Sequence, residues 1–187
     1  MIIKLNLEKL KDFPRNKILI LITIVAFVLT VLISQFIMAP IEAELKGATG
    51  YGVIEFEFAW TSEQINTIFK AWGSEGKKKE AFVTYIDFLF IPCYSLFMAG
   101  CILLVTRNLE GKLQEIGLYM TIMPFIAGIF DVIENINLLL MLTNEAFIWS
   151  LSPFIASLCA TIKFSLLFIA IIFFIVALII VIIKKFK

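Results

Sequence analysis

The chain reads as an all-α integral membrane protein. The expected architecture is a four-transmembrane-helix bundle with a short extramembrane strand and an amphipathic helix between helices one and two. Three observations predict this. Of the 187 residues, 61% are hydrophobic, and the mean hydropathy is +1.00. Four apolar runs, 18–39, 81–106, 115–142 and 152–183, each reach the roughly 20 residues that cross a bilayer as helix. The runs are continuous rather than alternating every second residue, which argues against a transmembrane β-barrel. Helices satisfy their own backbone within hydrocarbon. Residues 1–187 then form a single membrane domain.

The elements follow in order. Residues 1–16 offer Leu5, Leu7, Leu10 and Phe13 to the interface, and Pro14 breaks this segment before the first span. Helix 18–39 is too long for a signal-peptide core and no small-x-small cleavage pattern clearly follows it, so it reads as a retained helix ending at Pro40. An outer loop, 40–80, comes next, with a glycine-rich turn at 46–52. Residues 53–60 alternate. Ile54, Phe56, Phe58 and Trp60 share one face and Glu55 and Glu57 the other, which is strand periodicity. A lone strand needs a partner for its edges.

Thr61 and Gln64 fit a capping box. Ile65, Ile68, Phe69 and Trp72 follow at helical spacing, and Gly73 stops this amphipathic helix of 62–72. It is placed on the outer membrane surface or across the bundle mouth, where Trp60 and Trp72 suit the interface. Helix 81–106 bends at or near Pro92, and helix 115–142 carries Pro124 and Gly128. Ser152 is the expected N-cap of the last helix, with Pro153 at its first position. This helix is longer than the hydrocarbon is thick, so it tilts or projects.

Charge sets the orientation. Lys4, Lys9, Lys11, Arg15, Lys17, Arg107, Lys112, Lys184, Lys185 and Lys187 fall on one side of four spans. Lys46, Lys70, Lys77, Lys78 and Lys79 fall on the other, where the 77–79 run could meet anionic headgroups. The positive-inside rule places both termini in the cytoplasm. The ending from Lys184 to Lys187 reads as a stop-transfer cluster, and also matches a dilysine retrieval signal.

Net charge is +1, with no basic stripe, so nucleic acid is not an expected partner. Cys93, Cys101 and Cys159 all lie in predicted helices, and there is no histidine and no CxxC. A disulfide scaffold, a His-ligated metal site and a thiol oxidoreductase are therefore not expected. No cofactor is implied.

The spans contain four charged residues, Asp87, Asp131, Glu134 and Lys163. Each costs about 2.5–3.5 kcal/mol on insertion scales, so they should face inward and find one another. Helical rise places Asp87 roughly 9 Å, Glu134 roughly 13 Å, Lys163 roughly 16 Å and Asp131 roughly 18 Å from the loop-bearing surface. All four fall in the same half of the bilayer. Asp131, Glu134 and Asn135 share a stripe, and so do Thr84, Asp87 and Tyr94. Lys163 is expected to neutralise Glu134 or Asp131. Asp87, Glu134 and Asp131 are the candidate acid–base groups. Lys163, Asn135, Tyr94, Thr84, Trp60 and Trp72 are the candidate ligand contacts.

Asp87–Phe88–Leu89–Phe90–Ile91–Pro92–Cys93–Tyr94 and Asp131–Val132–Ile133–Glu134–Asn135, with Gln64 and Ala71–Trp72–Gly73 before them, resemble a group of small four-helix prokaryotic membrane proteins of no assigned function, over about 54–142. The acid followed by proline (Asp87, Pro92), Tyr94 and the C-terminal dilysine resemble the EXPERA family, which includes the sigma-2 receptor and sterol isomerase. That resemblance implies an aromatic pocket for sterol-like ligands. The chain departs from it in having no histidine for isomerase chemistry and in its acid pair on helix three.

The expected function is a buried acidic pocket for a lipid-like or cationic amphiphilic molecule, with or without acid–base chemistry. The alternative is an accessory subunit that docks a partner through the outer loop, its buried charges acting only as a polar lock. Membrane lipids are expected partners, and a homo-oligomer or a partner membrane protein stays open. A proton path is disfavoured because no polar residue continues into the cytoplasmic half. Four helices without repeats also offer little machinery for alternating access.

Overall fold

A computed structural model describes residues 7–186. Lys4, Leu5 and Lys187, which figure in the topology, the N-terminal segment and the C-terminal cluster, lie outside the described residues. The described chain is helical throughout and contains no strand. Four helices are long and apolar enough to cross a membrane: Asn16–Thr49, Ser62–Thr106, Gly111–Thr143 and Ser152–Lys185. These four apolar helices are compatible with an integral membrane protein.

The first span does not stop at Pro40. Helix α1 (Asn16–Ile33) runs through a π turn, Ser34–Met38, into α2 (Ala39–Thr49). A proline ring normally clashes with the carbonyl four residues back. Here Pro40 sits in the first turn of α2, just after the widened π turn has relaxed that ladder. The expected glycine turn shrinks to its end, where Gly50 caps α2 in the left-handed region at φ 79°.

The expected strand at 53–60 is not there. Residues Val53–Glu57 form a short helix, α3. Its first N–H groups are met by carboxylates. Gly52 N–H donates to Glu55 Oε2 at 2.8 Å, and Val53 N–H donates to Glu42 Oε2 at 2.7 Å. A lone strand would have had no such partners. Glu42 approaches so closely that any Cβ at position 52 would overlap its carboxylate. The alternation of large apolar residues does not sort inside from outside. Phe56 and Glu57 are both buried, whereas Ile54 is exposed.

Helix α4 (Ser62–Thr106) opens with the expected capping box. Gln64 N–H donates to Thr61 Oγ1 at 3.3 Å, and Thr61 N–H donates to Gln64 Oε1 at 3.2 Å. Gly73, at φ 62° and ψ −167°, breaks it as expected. The helix resumes at once, so residues 74–80, expected as loop, are helical. Ile65, Ile68, Phe69 and Trp72 are buried with Phe56, Leu138, Met141 and Ala156, which lays the 62–72 arm across one end of the bundle. The loop lysines meet acids. Lys46 pairs with Glu55 at 2.6 Å, Lys78 with Glu75 at 2.9 Å, and Lys79 with Glu44.

At the other end Arg107 takes a structural part. Its guanidinium donates to Leu10 O (2.9 and 2.7 Å), Pro14 O (2.8 Å) and Asn16 Oδ1 (2.6 Å). Leu7 packs with Leu19, Leu103 and Leu118. The N-terminal segment thus turns Leu7 into protein, leaving Phe13 exposed.

The third span is α5 (Gly111–Met120), a two-residue break, and α6 (Met123–Thr143), with Pro124 in the first turn of α6. Helix α7 (Ser152–Lys185) starts at Ser152, but Ser152 is not its cap. The Ser150 hydroxyl instead accepts the Ser152 N–H at 3.1 Å, because residues 150 and 151 already turn toward the helix. Helices α4, α6 and α7 pack on one another, while α1 packs on α4. Gly100 permits that last crossing, since a Cβ there would strike the Thr23 hydroxyl.

Candidate functional site

The site is assembled from four elements. The inward stripe of α6 carries Asp131, Glu134 and Asn135, all buried. One stripe of α4 carries Glu80, Thr84, Asp87 and Tyr94. Helix α7 contributes Lys163, about three turns below Ser152. Helix α3 contributes Glu57, held in place where Phe58 stacks on Phe164 at 5.8 Å.

Lys163 Nζ is the hub. It lies 3.1 Å from Glu57 Oε1, 2.9 Å from Asp131 Oδ1, and 3.0 and 2.9 Å from the two oxygens of Glu134. Lys163 therefore binds both expected partners, and a third. The Tyr94 hydroxyl donates to Asp131 Oδ2 at 2.8 Å. Asn135 Nδ2 donates to Asp87 Oδ2 at 2.7 Å. Asp87 stays outside the ammonium's shell and is only half-buried.

Two acids here were not anticipated. Strand periodicity places Glu57 on the face opposite the large apolar residues, yet it is buried at the hub, and burial raises its carboxyl above the ordinary value. Its Oε2 has no hydrogen-bond partner. Glu80 belongs to the Lys77–Glu80 charge run, which reads as surface. It is 1% exposed, and its Oε1 has no partner. The G-x-x-E spacing of Gly52 and Glu55 was the available signal that 53–57 is helical. Nothing local marked Glu80.

A cavity of about 370 Å³ lies against these groups. Its polar lining is Glu57, Glu80, Thr84, Asp87, Tyr94, Asp131, Asn135 and Lys163, with Val53, Val83 and Phe90 among them, and beyond Tyr94 on α4 and Phe164 on α7 the lining is Phe97, Met98, Leu167 and Ile171. On α4 the lining runs from Glu80 to Met98, about 27 Å of helical rise. Polarity thus falls along the axis of the bundle, from the loop-bearing end toward the bilayer interior.

Of the expected ligand contacts, Lys163, Asn135, Tyr94 and Thr84 line this cavity. Thr84 Oγ1 donates to the Glu80 carbonyl at 2.9 Å. Trp60 and Trp72 stand apart from it. Trp60 packs edge-on against Phe154. Trp72 is buried beside Phe56 and Phe69, and its Nε1 donates to Tyr51 O at 2.8 Å.

Three carboxyls, Glu57, Asp131 and Glu134, surround one ammonium, and two more, Glu80 and Asp87, line the cavity beside it. Carboxyls in excess of ammonium groups make the polar part of the cavity lining acidic. Among the described residues, no group of His, Cys, Asp and Glu has the spacing to hold a metal ion. The chain matches no protein-family model, no curated protein and no solved structure, so its chemistry rests on this geometry alone.

Proposed function

We propose that the protein binds a lipid-like cationic amphiphile in the cavity between α4, α6 and α7. The observation that carries this is the match between one elongated cavity and an amphiphile's two halves. Carboxyls in excess of cations line one end, and phenylalanine, methionine and leucine line the other. Its volume falls within the roughly 300–1,000 Å³ typical of small-molecule sites. Asp87 is the leading group for the guest, because it faces the cavity and no cation among the described residues pairs with it. It is also the carboxyl best placed for acid–base work on a bound amine.

The test is Asp87→Asn in purified, folded protein, with binding of a long-chain alkylamine followed by calorimetry in neutral detergent. Loss of binding with unchanged melting supports the reading. Undiminished binding by the folded variant rejects it.

A second reading draws on a groove of about 730 Å³ beside the loop arm, lined by Tyr51, Glu55, Phe58, Thr61, Glu63, Gln64, Thr67 and Ile68. A partner protein docking there would make the chain an accessory subunit. Deleting 53–73 cannot separate the two readings, since it also removes Glu57 and the buried Trp72. Glu63→Arg with Thr67→Arg does separate them. Under the second reading this pair abolishes partner co-purification while amine binding is irrelevant to activity in cells.

A further inference from the structure

Three observations about the same cavity define its guest more closely, and they rest on the binding reading above. First, the Lys163 ammonium is already enclosed by three carboxylates, so it is not free to hold an anion. Second, Glu80 is almost wholly buried, lines the cavity and has an unpartnered carboxylate oxygen. Asp87 sits seven residues along the same stripe, about 10 Å deeper by helical rise. Third, the cavity wall is shared by Thr30 and Met38 of the first span and by Leu167 and Ile171 of α7. Yet α1 packs on α4, and no substantial contact joins it to α7. Ile171 remains 40% exposed.

We propose that the guest is a long-chain amine without a phosphate group. Its ammonium sits among Glu80, Thr84 and Asp87, and its alkyl chain runs past Phe97 and Met98 and leaves sideways between α1 and α7 into the bilayer. A buried carboxyl oxygen without a partner is costly, and an ammonium that donates to it removes the cost. A phosphodiester beside the same ammonium would place new negative charge against Glu57, Glu80, Asp87 and Asp131 with no free cation to meet it. That disfavours ordinary zwitterionic phospholipids. The polar end lies nearest the loop-bearing surface and the apolar end lies deeper, so the guest has the orientation of a lipid in that leaflet. It can enter from the membrane without crossing water.

The test uses the full chain in phosphatidylglycerol nanodiscs. The probe is hexadecylamine carrying a diazirine at its terminal carbon, photolysed and mapped by peptide mass spectrometry. Adducts are expected on the facing stretches of α1 and α7, around Thr30–Met38 and Leu167–Ile171. Excess unlabelled hexadecylamine should reduce them at least tenfold, and equal phosphatidylethanolamine should leave them unchanged. Glu80→Gln should reduce the competable yield at least fivefold, and Leu167→Trp should do the same by narrowing the exit.

Competable adducts confined to the loop around Phe58 and Thr61 would overturn the sideways path while leaving amine binding intact. Efficient competition by phosphatidylethanolamine would overturn the exclusion of phosphate. Adducts scattered over all lipid-facing helices, with no competition and no response to Asp87→Asn, would remove both this inference and the binding reading beneath it.

Discussion

Lys163 and Tyr94 grip the two oxygens of one carboxylate from opposite helices: Nζ lies 2.9 Å from Asp131 Oδ1, and the phenol donates to Asp131 Oδ2 at 2.8 Å. Asp131 is thereby satisfied on both sides and joins α4, α6 and α7 at one point. The cavity-facing acids are of a different kind, since Asp87 has only an amide partner and Glu80 Oε1 has none. The polar interior therefore divides into an ion-paired cluster around Lys163 and, beside it, cavity-facing acids that do not touch its ammonium.

Lys163→Met should be the most damaging single change. It leaves Glu57, Asp131 and Glu134 buried without their cation, and breaking a buried ion pair from one side costs about 3–5 kcal/mol. The expected outcome is a large drop in melting temperature in detergent, partly restored by adding Asp131→Asn and Glu134→Gln. A variant that melts like the parent would contradict the enclosed geometry.

Tyr94→Phe removes one hydrogen bond to a charged group and leaves the ring in place. A loss of about 1.5–3 kcal/mol is expected, with the fold retained. Chemical denaturation of both proteins in the same micelle measures it.

Glu57 predicts a dependence on pH. Burial raises its carboxyl above 4.5, the ordinary value. The folded state then holds a proton that the unfolded chain releases, so its contribution to stability falls as pH rises above about 4.5. Glu57→Gln carries no such proton. Relative to the parent, it should gain stability as pH rises from about 4.5 to the raised value of Glu57 and level off above it, and a gap independent of pH above 4.5 would show that burial does not raise this carboxyl.

Glu55 has the opposite sign. The Lys46 ammonium and the Gly52 N–H hold its carboxyl below 4.5. Stability from this pair is present above that value and is lost as pH falls through the lowered one. Glu55→Gln should flatten the acid limb of the melting profile. An unchanged acid limb would mean that the cap of α3 contributes nothing measurable.

Arg107→Ala should free the N-terminal segment, because four hydrogen bonds to Leu10, Pro14 and Asn16 are lost together. Faster amide exchange over 7–16 is the expected signature, with the cavity residues unaffected. Arg107→Lys should rescue this poorly, since an ammonium lacks the forked donors that reach three acceptors.

The spans and the charged cluster of Asp131, Glu134 and Lys163 were legible in the amino acids because hydrocarbon treats each as an extreme. Twenty apolar residues in a row have few other uses, and Asp131, Glu134 and Lys163 are too costly to leave facing lipid. Thr61, Gln64 and Gly73 declared themselves through local backbone chemistry. Glu57 and Glu80 did not, because the loop that holds them gains its burial from distant partners. Glu57 alternates with phenylalanines, which imitates a strand, and its true position depends on Phe58 reaching Phe164 more than a hundred residues away. Glu80 follows three lysines, and only the resumption of helix after Gly73 turns it inward. Trp60 and Trp72 suit a membrane interface by chemistry, yet the indole of Trp72 is claimed by the Tyr51 carbonyl, a contact that no local pattern reveals.

The π turn at Ser34–Met38 stores one surplus residue in the first span. Excising a single amino acid between this turn and Glu42, where the regular α-helix has no such slack, would shift Glu42 by about 100° around the helix axis. Glu42 would swing away from Val53, so the short helix bearing Glu57 would lose its anchor. The spacing between this turn and Glu42 is therefore as much a part of the acidic chamber as the carboxylates that line it.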